Sequence, residues 1–345
     1  MGRFRRSRCI RHIQDRMCEA VMAAVRGSDR KPPLARIAVF GSNGHIGRPL
    51  AAWVKANSPS TILRLIIRNE DRRANLAATF PGAEIFIANY YDLTSLEAAL
   101  SEVEGAFIVT PDFLDEERAM TNFIYAARTN PGLRHVVRLI ADPPGMTLDR
   151  VPDSLKALGG GTAVQHLRAK AILEQSGLPI TFINIAAYFM QNFLTPFFNG
   201  PIQAERVLSV PRNRRMGFID THDIGACAAA ILLSDNPRHV GQTYHLDNGH
   251  DVLRFDEVAL LMSDIFNETI AYDGTDETFL RICGEGVKAY IGRPDADEYF
   301  INYFQFEQDN ETVWRKSDIV EFLTGKPAKT LRQWLSENKQ NILGQ

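Results

Sequence analysis

A chain of 345 residues, 45% hydrophobic and 23% charged, has the make-up of an ordinary globular protein and the length for one large α/β domain with a smaller lobe. Its net charge of −2 hides a basic leader, residues 1–36 at +7, and a remainder at −9; so acidic a body argues against non-specific nucleic-acid binding, which depends on neutralising phosphates. No run of about 20 apolar residues occurs, so no helical membrane span is expected, and Cys9, Cys18, Cys227 and Cys283 show neither metal-ligand nor disulfide spacing, which suits a reducing, cytoplasmic setting.

In chain order, the leader (1–34) is rich in arginine, with Ile10, Ile13, Met17 and Val21 at roughly helical spacing. It reads as a disordered extension or misassigned start, an organellar presequence, or a membrane-surface helix. After Pro32-Pro33, apolar runs at 36–40, 62–67, 84–88, 105–109, 134–140 and 180–185 predict buried parallel strands. Helical stretches at 45–56, 70–79, 94–102, 115–129 and 163–176 fall between them. Strand–helix alternation of this kind predicts a Rossmann-type doubly wound α/β sheet, with ligands expected beyond the strand C-termini. A Pro/Gly-rich insert occupies 142–162, and a late strand is expected near 242–247. Residues 248–345 lose the alternation and read as a smaller, mostly helical substrate lobe, leaving 35–247 as the main domain.

The first predicted strand runs into "GSNGHIG", with Gly41, Gly44 and Gly47 at the point where strand becomes helix. There the first glycine permits a tight turn, the second lets backbone approach a pyrophosphate, and the third allows close helix–strand packing. The phosphate would sit on the helix N-terminus, where unpaired N–H groups and the dipole favour an anion. Arg68, 21 residues after Gly47, stands where an NAD-binding chain usually carries an acid. A guanidinium there suits the 2′-phosphate of NADP(H) in preference to NAD(H).

With "VFGSNGHIG", "IIRNEDR", "EGAFIVTP", "RHVVRLIA", "LEQSGLPITFINIAAYFMQNF", "FIDTHDIGACAAAIL" and "LTGKPAKTLRQWLSEN", the chain resembles atypical short-chain dehydrogenases/reductases of the NmrA-like group, kin to isoflavone reductases and NAD(P)H-dependent quinone reductases, over about residues 35–340. The resemblance implies that Gly41, Ser42, Asn43, Gly44 and Ile46 form the pyrophosphate loop and that Arg68 meets the adenosine phosphate. It also implies that Thr110 and Pro111 lie beside the nicotinamide ribose, and that Tyr188, Phe189 and Asn192 line the nicotinamide and substrate pocket.

The Ser–Tyr–Lys set of the wider superfamily is missing: the matching helix, "AVQHLRAKAILEQSG", has no tyrosine, and Ala141 stands where the serine would lie. Counting back from Gly177, the lysine position of isoflavone-reductase-like proteins falls on His166. His166 is therefore the acid/base candidate, expected to titrate near neutrality, with Lys170 one turn on to lower its pKa or position the phosphate; a half-buried helix histidine beside a solvated lysine is the alternative. No metal site is expected. Two functions remain open: an NADPH-dependent reductase of a small conjugated carbonyl, quinone or imine, and a non-catalytic dinucleotide sensor that regulates a partner protein. The partner expected is a small-molecule substrate, without nucleic acid or membrane; monomer and homodimer are both open.

Overall fold

The computed structural model describes residues 30–159, 161–185, 187–311 and 316–345. The readings of the leader fall largely on residues 1–29, outside the described residues.

A seven-stranded parallel sheet forms the centre, in the order β10-β6-β5-β4-β1-β2-β3. Its strands are β1 (Arg36–Phe40), β2 (Ile62–Ile67), β3 (Glu84–Ile87), β4 (Gly105–Ile108), β5 (His135–Ile140), β6 (Ile180–Ile185) and β10 (Thr243–Leu246). Most of these runs are apolar on both pleat faces because helices cover both sides. Helices α1 (Gly47–Asn57) and α8 (Thr221–Leu233) pack on one face. The other face is covered by α3 (Leu93–Leu100), α4 (Glu116–Arg128) and α6 (Thr162–Glu174). Strand order reverses between β1 and β4, so a crevice opens there beyond the carboxyl ends.

Along β5 the side chains alternate. Val137 and Leu139 join the core under α1 and α8, whereas Val136 and Ile140 join the core under α3 and α4. Arg138 shares the second face and is fully buried.

The boundary expected at 247 does not divide the two cores. The lobe's core takes Tyr188, Phe193, Phe197, Phe198 and Phe218 from the middle of the chain, together with Phe255, Phe279, Phe304 and Trp334. Conversely, Val320 and Ala328, from the tail, lie in the sheet's core. The tail is helical around α9 (Phe255–Phe266), α12 (Ala296–Asp309), α13 (Ile319–Thr324) and α14 (Leu331–Leu343), and its short strands Val252–Arg254 and Ala271–Tyr272 complete two small sheets with Tyr188–Phe189, Val207–Leu208 and Arg215–Ile219.

The fold also begins before residue 35. Leu34 is buried against the sheet, and Lys31 starts a polar chain beneath its N-terminal edge. The Lys31 ammonium donates to Leu232 O at 2.8 Å and Ile231 O at 3.3 Å, both in the last turn of α8, and to His135 Nδ1 at 3.0 Å. Because Lys31 offers only donors in its charged form, His135 carries its proton on Nε2, which donates to Thr181 Oγ1 at 2.8 Å. Thr181 passes its own proton to His239 O at 2.6 Å.

Candidate functional site

Between β1 and α1 the glycines make a cradle that other residues would fill. Gly41 has φ +67°, a left-handed conformation that favours glycine, and its carbonyl accepts from Gly44 N at 2.9 Å to close the turn. A Cβ on Gly47 would stand 2.4 Å from Gly41 O, so α1 can start this close to the turn only without a side chain. The first turn of α1 has no side-chain cap; Pro49 carries no N–H and Arg48 N donates to Gly44 O at 3.2 Å, so among the described residues Gly47 N is the donor of that turn left for an anion. Ser42 is turned inward, its hydroxyl donating to Ile66 O at 3.1 Å, so only its backbone faces the cradle's task. Ile46 is buried under α1, whereas Asn43 and Gly44 are exposed. Arg68, just past β2, is exposed and has no partner among the described residues.

The ends of β4 and β5 hold a buried polar cluster. Arg138 donates from Nη2 to Glu116 Oε1 at 2.7 Å and to Thr110 Oγ1 at 2.9 Å, and Thr110 donates to the same carboxylate. Glu116 N in turn donates to Gln165 Oε1 at 3.1 Å, which ties the start of α4 to α6. Arg138 Nε and Nη1 and Glu116 Oε2 are buried without a hydrogen-bond partner among the described residues. The pair was not singled out in the sequence, although an arginine inside the apolar run "VVRLIA" was its signal.

His166, on α6, accepts from Ala141 N at 2.8 Å through Nδ1, which places the ring proton on Nε2. Contrary to what its place in the sequence suggests, it does not titrate near neutrality. Burial, with the nearby Arg138 charge, holds its pKa down at about 3, so the ring is neutral throughout the physiological range. Lys170 is not the cause; it lies 3.7 Å from Glu174 on its own helix.

Beside His166, Asp142 follows the end of β5. Asn184 clamps its backbone on both sides, accepting from Asp142 N and donating to Asp142 O, each at 2.8 Å. Asp142 is 4% exposed, and neither carboxylate oxygen has a hydrogen-bond partner among the described residues. Burial pushes its pKa up to about 8 against the opposing pull of Lys170 and Arg138. The lobe roofs this corner: Tyr299, from α12, sits so close to the start of α6 that a Cβ on Gly161 would stand 1.9 Å from its ring. Its ring packs edge-on against Phe113 with centroids 4.9 Å apart. Among the described residues no group of three or more His, Cys, Asp or Glu side chains could hold a metal ion.

A family model described as the NmrA-like family matches residues 33–292. The chain belongs to that family. Among curated relatives, it is 26% identical to the (4-alkanoyl-5-oxo-2,5-dihydrofuran-3-yl)methyl phosphate reductase of Streptomyces griseus, over 88% of this chain and 98% of the relative. It is 25% identical to the NAD(P)H azoreductase of Xenophilus azovorans, over 86% and 96% of the two chains. The solved Citrobacter sp. triphenylmethane reductase, complexed with NADP(H), shares the fold with a TM-score of 0.70 at 18% identity, over 88% of this chain and 99% of that one.

Within this NmrA-like frame the remaining expected site residues divide. Thr110 and the exposed Pro111 stand at the end of β4, beyond which the crevice opens. Tyr188 packs into the lobe core instead, with ring centroids 5.2 Å from Phe255 and 5.4 Å from Phe193, and only 6% of it is exposed. So much aromatic packing leaves it almost no surface for a ligand. Phe189 and Asn192 are half-buried, with Phe189 against the sheet's core. Phe193, Phe197 and Phe198 are buried core residues.

Proposed function

We propose that this chain takes NADP(H) in preference to NAD(H) and reduces a small conjugated carbonyl, quinone or imine. At the coarser level it is an NAD(P)-dependent oxidoreductase of the atypical short-chain type, a statement supported by the family and by reductase relatives matched over nearly their whole length. The observation that carries the reading is the glycine cradle: a left-handed Gly41, a Gly47 with no room for a Cβ, and an uncapped helix start, all at the reversal of strand order. These residues fit a dinucleotide's pyrophosphate, with the backbone of Gly41, Ser42, Asn43, Gly44 and Ile46 around it. Arg68 meets the 2′-phosphate, and Thr110 and Pro111 stand beside the nicotinamide ribose.

When bound, the dihydronicotinamide supplies a hydride to the acceptor. The chain's own part is to orient that acceptor, exclude water and provide a proton. His166, neutral, donates a hydrogen bond from Nε2 to the acceptor's oxygen or nitrogen, and Lys170 adds positive potential to the corner. Phe189 and Asn192 border the substrate pocket.

Calorimetry with NADPH and NADH tests the preference. A charge-assisted pair at Arg68 is worth roughly 1.5–3 kcal/mol, so NADPH binds about tenfold or more tighter, and Arg68→Ala removes most of the difference. Equal affinities in the unmutated protein refute the assignment. Oxidation of NADPH against quinones, enones and azo dyes tests the activity; tight binding without turnover on any of them favours the sensor instead.

A further inference from the structure

The reduction consumes one proton as well as a hydride, and the Ser–Tyr pair that would supply it is absent. His166 offers no titratable proton, because its imidazole is neutral and its Nδ1 is engaged by Ala141. One group in the same corner remains uncommitted. Asp142 lies at the carboxyl end of β5, its backbone is fixed by Asn184, and both of its oxygens are buried without a partner among the described residues.

We propose that Asp142 is the proton donor of the reaction, held as a neutral carboxylic acid at the end of β5; the proposal rests on the oxidoreductase reading above. Buried carboxyls that are ionised are nearly always paired, and an unpaired one keeps its proton instead. The groups around it set the balance. Arg138 is nearby but its charge is engaged by Glu116, and Lys170 lies near Glu174. Arg138 and Lys170 are the two charges that oppose protonation, and burial outweighs both. His166 is neutral and His245, whose Nδ1 accepts from Asn184, is held below its usual range. On α12, Tyr299 is buried and Tyr303 half-buried, both phenols raised well above their usual range, and Asp112 accepts from Thr162 at 2.6 Å.

The step balances as follows for a carbonyl acceptor. The carbon gains a hydride with its two electrons from the dinucleotide, and the C=O π pair moves onto oxygen. That oxygen takes the proton as the Asp142 O–H bond breaks, and the resulting carboxylate regains a proton from water. For a conjugated acceptor the hydride adds at the far end of the conjugated system, the π electrons shift towards the carbonyl oxygen, and the Asp142 proton goes to that oxygen or to the carbon beside the carbonyl.

The test combines kinetics with infrared spectroscopy on the full chain, using NADPH and menadione. Asp142→Asn should lower kcat by roughly 10²–10⁴-fold while NADPH affinity stays within about twofold, and Asp142→Glu should recover part of the rate. Wild-type kcat should fall as pH rises through about 8, because the protonated form is the active one, and the Asn variant should lose that fall. Independently of turnover, isotope-labelled aspartate should show the carbonyl stretch of a protonated carboxylic acid at about pH 6, gone by about pH 10. Asn-variant turnover within about twofold of wild type, or no protonated aspartate band at about pH 6, overturns the proposal while the oxidoreductase reading stands. If wild type binds NADPH yet reduces neither menadione nor any other acceptor tried, the reading itself fails and the proposal falls with it.

Discussion

Lys31 offers a measurable test of how this fold treats a buried charge. Its ammonium is buried, and the loss of hydration, with the neighbouring Arg134 charge, lowers its pKa from 10.5 to about 8 against the opposing pull of Asp235. The unfolded chain therefore binds more protons than the folded one between those two values, and stability rises with pH across the window. The gap corresponds to about 3 kcal/mol, present in full as a penalty below pH 8 and relieved above 10.5. Lys31→Met keeps the apolar stem and removes the amine. It strands His135 Nδ1 and the α8 carbonyls of Ile231 and Leu232, a loss of about 1–3 kcal/mol, but it also removes the buried charge. The two effects nearly cancel at neutral pH. Urea unfolding of both proteins from pH 7 to above 10.5 should show the wild type pulling ahead by about 3 kcal/mol as pH rises. Comparing the pair removes the titration of every other group. A difference constant to within about 0.5 kcal/mol refutes the argument, since Lys31 would then titrate at its ordinary value.

Two substitutions test close approaches. Gly47→Ala forces a methyl to within 2.4 Å of Gly41 O, so NADPH affinity measured by calorimetry should fall at least about tenfold while circular dichroism stays native. An unchanged affinity would mean that the cradle does not hold the pyrophosphate. Gly161→Ala drives a methyl into the Tyr299 ring and should cost about 1–3 kcal/mol in urea unfolding; adding Tyr299→Leu should recover part of it, and additive losses would show that the two residues do not meet.

The sheet was readable because parallel strands covered on both faces are uninterrupted apolar runs, and each predicted run coincides with a strand to within a residue at either end. Most strands of the small sheets escaped because at two or three residues, such as Ala271–Tyr272, they are too short to show a period. The cradle was legible for a similar reason: its chemistry lies within seven consecutive residues. The polar corner was not. Glu116 and Arg138 are 22 positions apart, and the state of Asp142 depends on Asn184 and on burial beneath the lobe. His166 shows the same limit, since its position could be counted out but the burial that neutralises it could not. Tyr188 shows how packing overrides resemblance: the position matches, yet the surrounding rings have claimed its surface.

The interleaving of the two cores also bears on how the chain is made. Val320 and Ala328 complete the packing beneath the sheet, and Trp334, Leu335 and Leu343 complete that of the lobe. A chain emerging from the ribosome therefore holds both apolar interiors open until residues 320–343 are free to dock, although all seven strands of the sheet have been synthesised by Leu246. Translation leaves a long interval in which nearly complete sheet surface lacks its last cover, the condition under which nascent proteins aggregate or engage chaperones.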